Sequence, residues 1–431
     1  MRKNSINSSR AWLVCFVMSL FFFYEFVQMN IFDAIAQDIL VDFSLTAVSV
    51  GYFASMYFYG TFLMVVPAGM ILDRLSTKKV ALLAMSLSTV CTLLFSQTHV
   101  LMVAEACRFF AGVGAAFSFL ACLRLASRWF SANRLAFVTG MMVTVAMLGG
   151  LVAQTPAVIL TEHMGWRHTM LINGMLGILI IVLILGIVCD QPPQEQQPIE
   201  KEHQPLHRYG VWRSLFFVMR MRDNWFGGLY TTLMNLPIFI LGALWGMTYF
   251  EQVRGISHAQ ASYVISALFI GVIFGSPAFG WFSDKILSRR FPMLLGAVTS
   301  LLVILILLYV TPLSLTSLLL LSFLLGFLTS AQIISYPTVA ELNPTELTAS
   351  ANSIISLVIM ASGVIVQPLT GWLIGLHWDH HMLNGRPLYL TSDFRLAMLI
   401  LPISFVISFF IALGIQETAC RASAQHLKNT V

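Results

Sequence analysis

The stretch that decides the fold is a polar segment between two long apolar runs, Gly69-Met70-Ile71-Leu72-Asp73-Arg74-Leu75-Ser76-Thr77-Lys78-Lys79. The same order of glycine, acid, base and basic pair returns 211 positions later, in Gly280-Trp281-Phe282-Ser283-Asp284-Lys285-Ile286-Leu287-Ser288-Arg289-Arg290. Each copy again lies between two apolar runs. Two copies in register predict that the chain contains a duplicated unit.

A second repeated segment lies inside the apolar runs. Gly150-Leu151-Val152-Ala153-Gln154 corresponds to Gly363-Val364-Ile365-Val366-Gln367, 213 positions later. The two spacings are nearly equal, so one duplication explains both. Because membrane transporters commonly carry weak internal symmetry between their halves, we expect two equivalent halves here.

The composition excludes an ordinary soluble enzyme. Of the 431 residues, 58% are hydrophobic and 10% are charged, whereas about 25% are charged in soluble domains. A helix that crosses a bilayer needs about 20 mostly apolar residues. Twelve runs qualify, at approximately 11–35, 47–72, 80–97, 100–124, 135–161, 168–189, 224–250, 259–283, 291–311, 313–335, 348–375 and 394–416. These runs predict an all-α integral membrane protein of twelve transmembrane helices in two pseudo-symmetric six-helix bundles.

The basic residues predict the orientation, because short cytoplasmic loops hold an excess of Lys and Arg. Nineteen of the 24 lie in the segments that would face the cytoplasm. The first run contains Tyr24, Glu25 and Gln28 and no cleavage site follows it, so it should remain as a helix rather than be removed as a signal peptide. Both termini are therefore predicted to be cytoplasmic. Since the positive charges sit in short clusters between apolar runs, no nucleic-acid partner is expected.

A polar stretch divides the chain into residues 1–189, a linker of residues 190–222, and residues 223–431. The second part of the linker has apolar residues at helical spacing with arginines beside them, namely Trp212, Leu215, Phe216 and Met219 with Arg208, Arg213 and Arg220. It forms either a helix in the lipid headgroup region or a solvated connector. The six cysteines are scattered and predict neither a disulfide framework nor a zinc site.

The repeated loop resembles the signature loop of the major facilitator superfamily. Arg108-Phe109-Phe110-Ala111-Gly112-Val113-Gly114, an arginine followed by glycines after four and six positions, is similar to a second motif of that family. The resemblance covers the whole chain. It implies the major facilitator fold and transport by rocking of two halves about a central site. It also implies that the loop residues hold the cytoplasmic gate shut in the outward-open state, namely Gly69, Asp73, Arg74, Lys78, Lys79, Gly280, Asp284, Lys285, Arg289 and Arg290.

Two further features favour uptake over export. The fifth run contains Gly149-Gly150 but lacks the Gly-Pro pair that the family's proton-driven drug exporters carry there. The segments Phe22-Phe23-Tyr24-Glu25-Phe26 and Met70-Ile71-Leu72-Asp73-Arg74 resemble the phagosomal nutrient transporter subgroup of intracellular bacteria.

Charged groups inside the apolar runs need a function or a partner, because burying each costs about 2.5–3.5 kcal/mol. Glu25 and Arg108 lie at a similar predicted depth, so a contact between them is plausible, with Glu25 as the proton-coupling carboxylate and Arg108 as a substrate group. Alternatively Glu105, three residues before Arg108, neutralises the arginine, and Glu25 is bonded to Tyr24 or Gln28.

Other polar and aromatic side chains lie in runs that are predicted to line the same site. Each could contact substrate or could hold two helices together by a hydrogen bond. They are Tyr57, Gln154, Asn235, Trp245, Gln332 and Gln367.

No Gly-x-x-x-x-Gly-Lys-Ser/Thr segment is present, so direct use of ATP is not expected, and the sequence predicts no enzyme activity, cofactor or metal site. His377-Trp378-Asp379-His380-His381 could bind a divalent ion or be an incidental polar loop.

The sequence thus predicts a monomeric secondary transporter of a bacterial inner membrane. Its expected partners are a small-molecule substrate, protons and the lipid bilayer, and its expected activity is proton-coupled import of an amino-acid-like nutrient. Three alternatives stay open: import of a carboxylate-rich iron chelate, proton-driven export of drugs or metabolites, and a sensor that kept the fold without transport.

Overall fold

The computed structural model describes residues 8–130, 132–191, 211–343, 348–376, 378, 382–383 and 386–418. Within these residues the protein is helical apart from one short antiparallel hairpin, β1 (Met382–Leu383) and β2 (Arg386–Pro387). The helices of the first half are α1 (Ser8–Asp42), α2 (Ala47–Arg74), α3 (Thr77–Gln97), α4 (Leu101–Ala115), α5 (Ser118–Trp129), α6 (Ala132–Val152) and α7 (Thr155–Ile187).

The second half begins after α8 (Val211–Arg220), which lies in the part of the linker for which the sequence left both a helix and a solvated connector open. Its seventh span has three parts, α9 (Arg222–Pro237), a π-helix (Ile238–Trp245) and α10 (Gly246–Arg254). The remaining elements are α11 (His258–Ile286), α12 (Arg290–Tyr309), α13 (Leu315–Thr329), a 3-10 turn (Ser330–Ile334), α14 (Ser335–Leu342), α15 (Thr348–Gly375), α16 (Thr391–Met398) and α17 (Ile400–Gly414).

The predicted twelve-span, all-α fold is confirmed. By length and hydropathy, 11 stretches of the described residues could cross a membrane, and one of them, Gly140–Ile187, has 48 residues. That stretch is two spans, because Gly165 inside α7 has φ 79° and ψ 158°, a backbone conformation that glycine adopts readily and that breaks the helix. The first span is longer than predicted, since α1 continues to Asp42.

Reciprocal glycines pack the second span against the fourth. A Cβ on Gly112 would lie 1.9 Å from the carbonyl oxygen of Tyr57, and a Cβ on Gly60 would lie 2.1 Å from that of Phe109. Any side chain at either glycine would therefore force α2 and α4 apart. Gly114 does the same on another face of α4, where a Cβ would lie 2.3 Å from the hydroxyl of Ser88 in α3.

The second half repeats this packing between α11 and α13. A Cβ on Gly271 would lie 2.1 Å from the carbonyl oxygen of Phe323, and a Cβ on Gly326 would lie 1.9 Å from that of Leu268. Gly271 follows Gly60 by 211 positions and Gly326 follows Gly112 by 214 positions. The duplication seen in the sequence is thus also a duplication of helix contacts.

Each half also has an acid lock, in which a carboxylate just beyond its sixth span bonds to the loop between its second and third spans. Asp190 accepts hydrogen bonds from the hydroxyl of Ser76 and from the Lys78 backbone N–H at 2.8 Å. Glu417 accepts from the Ser288 hydroxyl at 2.7 Å and from the backbone N–H groups of Arg289 and Arg290 at 2.8 and 3.0 Å. Both acids lie at the N-terminus of a helix, where a negative charge is stabilising.

The two halves close against each other at one end of the molecule. We refer to the end with the loops 75–76 and 287–289 as the basic face and to the opposite end as the distal face. Near the distal face, a Cβ on Gly51 would lie 2.7 Å from the Gln367 carbonyl oxygen, and one on Gly371 would lie 2.5 Å from that of Ala47. Near the basic face, a Cβ on Gly69 or Gly280 would meet nothing within 4 Å.

Candidate functional site

Three acidic or basic side chains, Glu25, Asp33 and Arg108, are buried deep within the described spans. Glu25 is 2% exposed, Asp33 1% and Arg108 3%. The other buried charged residues that the structure describes are Arg289, in a loop, and Asp393, in the first turn of α16. Because charges at membrane depth are costly and commonly mark the site of function, these three define the candidate site.

Arg108, on α4, is held between two aromatic rings of the first and second spans. Its guanidinium carbon lies 5.2 Å from the ring centre of Phe32 and 5.1 Å from that of Tyr57. Its Nη1 donates a hydrogen bond to the carbonyl oxygen of Gln28 at 2.8 Å, whereas its Nε has no partner among the described residues. The rings fix the plane of the guanidinium and leave its Nε edge available to an anion.

Glu25, on α1, meets the same tyrosine from the other side. The Tyr57 hydroxyl lies 3.3 Å from Glu25 Oε2 and 3.1 Å from the Glu25 carbonyl oxygen, and Oε1 has no partner among the described residues. The suggested direct contact between Glu25 and Arg108 is wrong for this structure, since no ion pair between them lies within 4.0 Å. Tyr57 stands between the two charges, and Gly112 makes this possible by bringing α2 close to α4.

Neighbouring groups complete the N-half cluster, which consists of Tyr24, Glu25, Gln28, Tyr57, Thr92 and Arg108. Thr92 Oγ1 accepts hydrogen bonds from the Tyr24 hydroxyl at 3.1 Å and from Gln28 Nε2 at 2.5 Å. The alternative in which Glu105 neutralises Arg108 is also wrong for this structure. Glu105 is half-buried and makes no hydrogen bond or ion pair with a described residue.

The second half presents amides instead of charges. Gln332 Nε2 donates a hydrogen bond to Asn235 Oδ1 at 3.1 Å, which joins the seventh and tenth spans. At the spacing of 214 that relates Gly112 to Gly326, the residue equivalent to Arg108 is Ser322. Among the described residues, the charged side chains buried within the spans therefore belong to the first half.

Three predicted site residues lie between the halves, towards the distal face, and not with the charged cluster. Gln154 Nε2 donates to the Gly242 carbonyl oxygen at 2.7 Å across the halves. The backbone of Gln367 packs against Gly51. Trp245 is 1% exposed, and its ring centre lies 6.1 Å from that of Tyr389. We refer to this contact zone as the distal gate.

Asp33 was missed by the sequence analysis. Both of its carboxylate oxygens lie 3.4 Å from the backbone nitrogen of Met247 in the second half. The first span was predicted to end near residue 35, which would have left Asp33 at the membrane surface. The apolar residues Ile35, Ile39 and Leu40 continue the helix, and they are the signal that could have placed Asp33 inside the membrane.

In the second copy of the repeated loop, acidic and basic side chains form ion pairs. Arg289 forms ion pairs with Asp284 at 2.7 Å and with Glu341 at 2.6 Å. Lys285 lies over the ring of Trp281, and Arg290 bonds to the Leu413 carbonyl oxygen.

In the first copy, Lys78 Nζ donates to the Leu185 carbonyl oxygen at 2.7 Å, and the Lys79 backbone N–H donates to the Ser76 hydroxyl. The side chains of Asp73 and Arg74 lie outside the described residues, as do His377 and residues 379–381 of the histidine-containing loop. The gating role of the motif stays a prediction.

Chemically, the N-half cluster offers one open acceptor and one open donor of opposite charge. Glu25 Oε1 and Arg108 Nε are both buried and unpartnered in the described structure. A buried polar atom without a partner is costly, so each gains from a ligand that supplies the missing hydrogen bond. The arrangement is suited to binding a ligand that carries both an acceptor and a donor.

Known proteins are similar to this chain over most of its length. GudP of Escherichia coli (strain K12), named as a probable galactarate/D-glucarate transporter, is 21% identical over 429 residues, which are 91% of this chain and 92% of that protein. SauU of Cupriavidus necator, named as a probable sulfoacetate transporter, is 23% identical over 63% of this chain and 65% of that protein. A bacterial homologue of the human lysosomal transporter Spinster, solved in an inward-facing and unoccupied conformation, has a TM-score of 0.72 at 16% identity, with 100% of this chain and 99% of that chain covered.

The sequence profile of the Major Facilitator Superfamily matches residues 14–250 and again residues 228–419. The two matches overlap within the seventh span. The repeated loop, the reciprocal glycines and the twelve spans agree with this assignment. The chain therefore belongs to the Major Facilitator Superfamily and is a multi-pass membrane transporter, not an enzyme.

Proposed function

We propose that this transporter imports a small zwitterionic nutrient of the amino-acid type together with protons. The observation that carries the proposal is the pair of open groups in the N-half cluster, Glu25 Oε1 and Arg108 Nε, which Tyr57 keeps apart. An ammonium group suits the free carboxylate oxygen, and a carboxylate suits the free edge of the guanidinium. An α-amino acid carries both groups on one carbon atom.

The direction and the compartment belong to the same proposal. We assign the basic face to the cytoplasm of a bacterial cell, because the loops there hold most of the Lys and Arg residues. With this assignment the distal gate faces outwards and is shut, so the described state is open towards the cytoplasm. In the outward-open state the motif glycines Gly69 and Gly280, which face open space here, would become packed against neighbouring helices.

A second candidate substrate is an organic anion. GudP and SauU are named for a sugar diacid and a sulfoacetate, both of which carry a carboxylate. Arg108 is the one described cation buried inside the spans, and its free edge would accept such a group. For this substrate Glu25 would have to be protonated when the anion binds.

The test is a thermal-shift panel on the purified transporter, because a ligand that binds only the folded state raises its apparent stability. The panel contains amino acids, sugar acids, sulfonates, iron chelates, nucleosides and lipophilic cations. We expect the largest rise in melting temperature with an amino acid. A rise with sugar acids or sulfonates alone would favour the anion, and a rise with lipophilic cations alone would contradict import.

The Arg108→Lys variant should bind the ligand found in the panel at least about tenfold more weakly. A lysine ammonium has no planar edge, so it can neither lie between Phe32 and Tyr57 in the same way nor hold a carboxylate by two parallel bonds. Isothermal titration calorimetry measures the change. Arg167→Lys, at a surface ion pair with Asp42, is the matched control and should keep wild-type affinity. Wild-type affinity in Arg108→Lys would mean that the arginine is structural.

A further inference from the structure

The seventh span contains an unusual helical segment at the distal gate. Residues Ile238–Trp245 form a π-helix, in which each N–H bonds to the carbonyl five residues earlier, and all eight residues are buried. It follows Pro237 and continues directly into α10. π-helical segments are rare, usually last one turn and are frequent at functional sites. A segment of eight residues therefore requires an explanation.

Gly246 is the residue that permits this winding. A Cβ on Gly246 would lie 1.9 Å from the carbonyl oxygen of Leu241, five residues earlier, and 2.5 Å from a side-chain carbon of Ile265. No other residue fits at this position while the segment is a π-helix. In an α-helix, alanine is more stable than glycine. Gly246 therefore allows the π-helix to form, and it makes an α-helix through the same residue less stable than alanine would.

Side chains of the first half bind the π-helix at Gly242 and the start of α10 at Met247. Gln154 donates to the Gly242 carbonyl oxygen at 2.7 Å, and the Asp33 carboxylate faces the Met247 N–H at 3.4 Å. Gly242 lies five residues before Met247, so these are the two groups that one more π-helical bond would join. Gln37 Nε2 donates to the hydroxyl of the next residue, Thr248, at 2.8 Å. The π-helix therefore ends at the point where the first half binds the Gly242 carbonyl and the Met247 N–H.

Aromatic packing at the same place crosses the halves. Phe269, on α11, fills the space beside Gly150 of α6 and Gly242 of the π-helix, where added Cβ atoms would lie 2.6 and 3.1 Å from its ring. The contacts of Gly242, Met247 and Thr248 with the first half depend on the π winding, because a loss of one residue of helical register turns every later residue by about 100° about the helix axis.

We propose that the π-helix of the seventh span is a register switch that opens the distal gate. With the gate shut, Asp33, Gln37 and Gln154 hold the segment in the π winding. When the halves separate at the distal face, these bonds are lost and Ile238–Trp245 rewinds as an α-helix. α10 then turns about its axis, and Met247 and Thr248 no longer face the first half. The switch concerns the gate and does not depend on which substrate is carried.

The test measures the rotation of α10 within its own half. Spin labels are attached to cysteines at Val253, on α10, and Tyr263, on α11, in a background without native cysteines. Both positions belong to the second half, so rocking of the halves leaves their distance unchanged. Rotation by about 100° moves a side chain that lies 5–6 Å from the helix axis by about 8 Å. The distance distribution is measured by electron paramagnetic resonance on the full-length transporter.

We expect Gly246→Ala to shift the distribution, with the population ratio of the two distances changing by about tenfold or more. Gly186→Ala, at a glycine with nothing within 4 Å, should give the wild-type distribution. A folded Gly246→Ala protein with the wild-type distribution would overturn the proposal.

If Gly246→Ala cannot be purified, Gln154→Leu gives a second test, because it releases the Gly242 carbonyl without adding bulk to the π-helix. The same shift in direction is expected. An unchanged distribution in Gln154→Leu would overturn the proposal equally.

Discussion

Glu25→Gln is expected to abolish accumulation of substrate against a pH gradient while exchange of labelled for unlabelled substrate continues. The amide keeps the shape of the side chain and can still meet the Tyr57 hydroxyl, but it cannot release or take up a proton. A gradient of one pH unit drives about tenfold accumulation for each proton that moves with the substrate. In proteoliposomes this tenfold accumulation should fall to equilibration in the variant.

The matched control is Glu162→Gln, at an exposed glutamate of α7, which should accumulate substrate like the wild type. Unchanged accumulation in Glu25→Gln would remove Glu25 as the coupling group. Asp33→Asn then tests whether the coupling carboxylate lies in the distal gate instead of the N-half cluster, because Asp33 is equally buried but belongs to the distal gate. Loss of accumulation in Asp33→Asn alone would place the coupling carboxylate there.

Gly112→Ala is expected to lower both stability and substrate affinity. The new methyl group would lie 1.9 Å from the Tyr57 carbonyl oxygen, and a backbone atom cannot move aside without the whole helix moving. We expect a loss of about 3 kcal/mol in unfolding free energy, at the upper end of the usual cost of overpacking. Displacement of α2 also carries Tyr57 away from Glu25 and Arg108. The measurements are the melting temperature and the ligand affinity by calorimetry.

Two control variants separate the effects of Gly112→Ala. Gly186→Ala should keep the affinity and should not lower the melting temperature, since nothing lies within 4 Å of the new Cβ and alanine is the better helix former. Gly326→Ala, the equivalent in the second half, should lower the melting temperature by a similar amount but keep the affinity, because it forces apart α11 and α13, neither of which carries Tyr57, Glu25 or Arg108. Equal losses of affinity in Gly112→Ala and Gly326→Ala would show that Tyr57 is not a positioning residue for the site.

Much of the fold was predictable because its signals are local. Apolar runs of about 20 residues specify spans whatever their tertiary contacts. The repeated loop specified the duplication, and the reciprocal pairs Gly60 with Gly112 and Gly271 with Gly326 give it a physical meaning. The break at Gly165 was predicted to within a few residues, because the polar residues Glu162, His163 and Arg167 separate the apolar runs at 135–161 and 168–189. The positive φ of Gly165 that makes the break has no sequence signal of its own.

The site was predicted only in part, because side-chain partners depend on helix rotation. Glu25 and Arg108 stood out as charges within apolar runs, yet whether they touch depends on a few ångströms, and Tyr57 fills that gap. Asp33 was missed because one span end was placed about seven residues too early. Gln154 and Trp245 were expected near the substrate but lie in the distal gate. The π-helix has no sequence signal, because Ile238–Trp245 is uniformly apolar.

The acid locks bear on how the polypeptide is made. Asp190 and Glu417 leave the ribosome after all six spans of their own half, so neither half can fasten its loop until its last helix has been synthesised. Each half then holds every partner of its own lock. A chain cut between Gln191 and Val211 would keep both locks intact, so this is where the protein can be expressed as two co-translated fragments or can accept an inserted fluorescent domain.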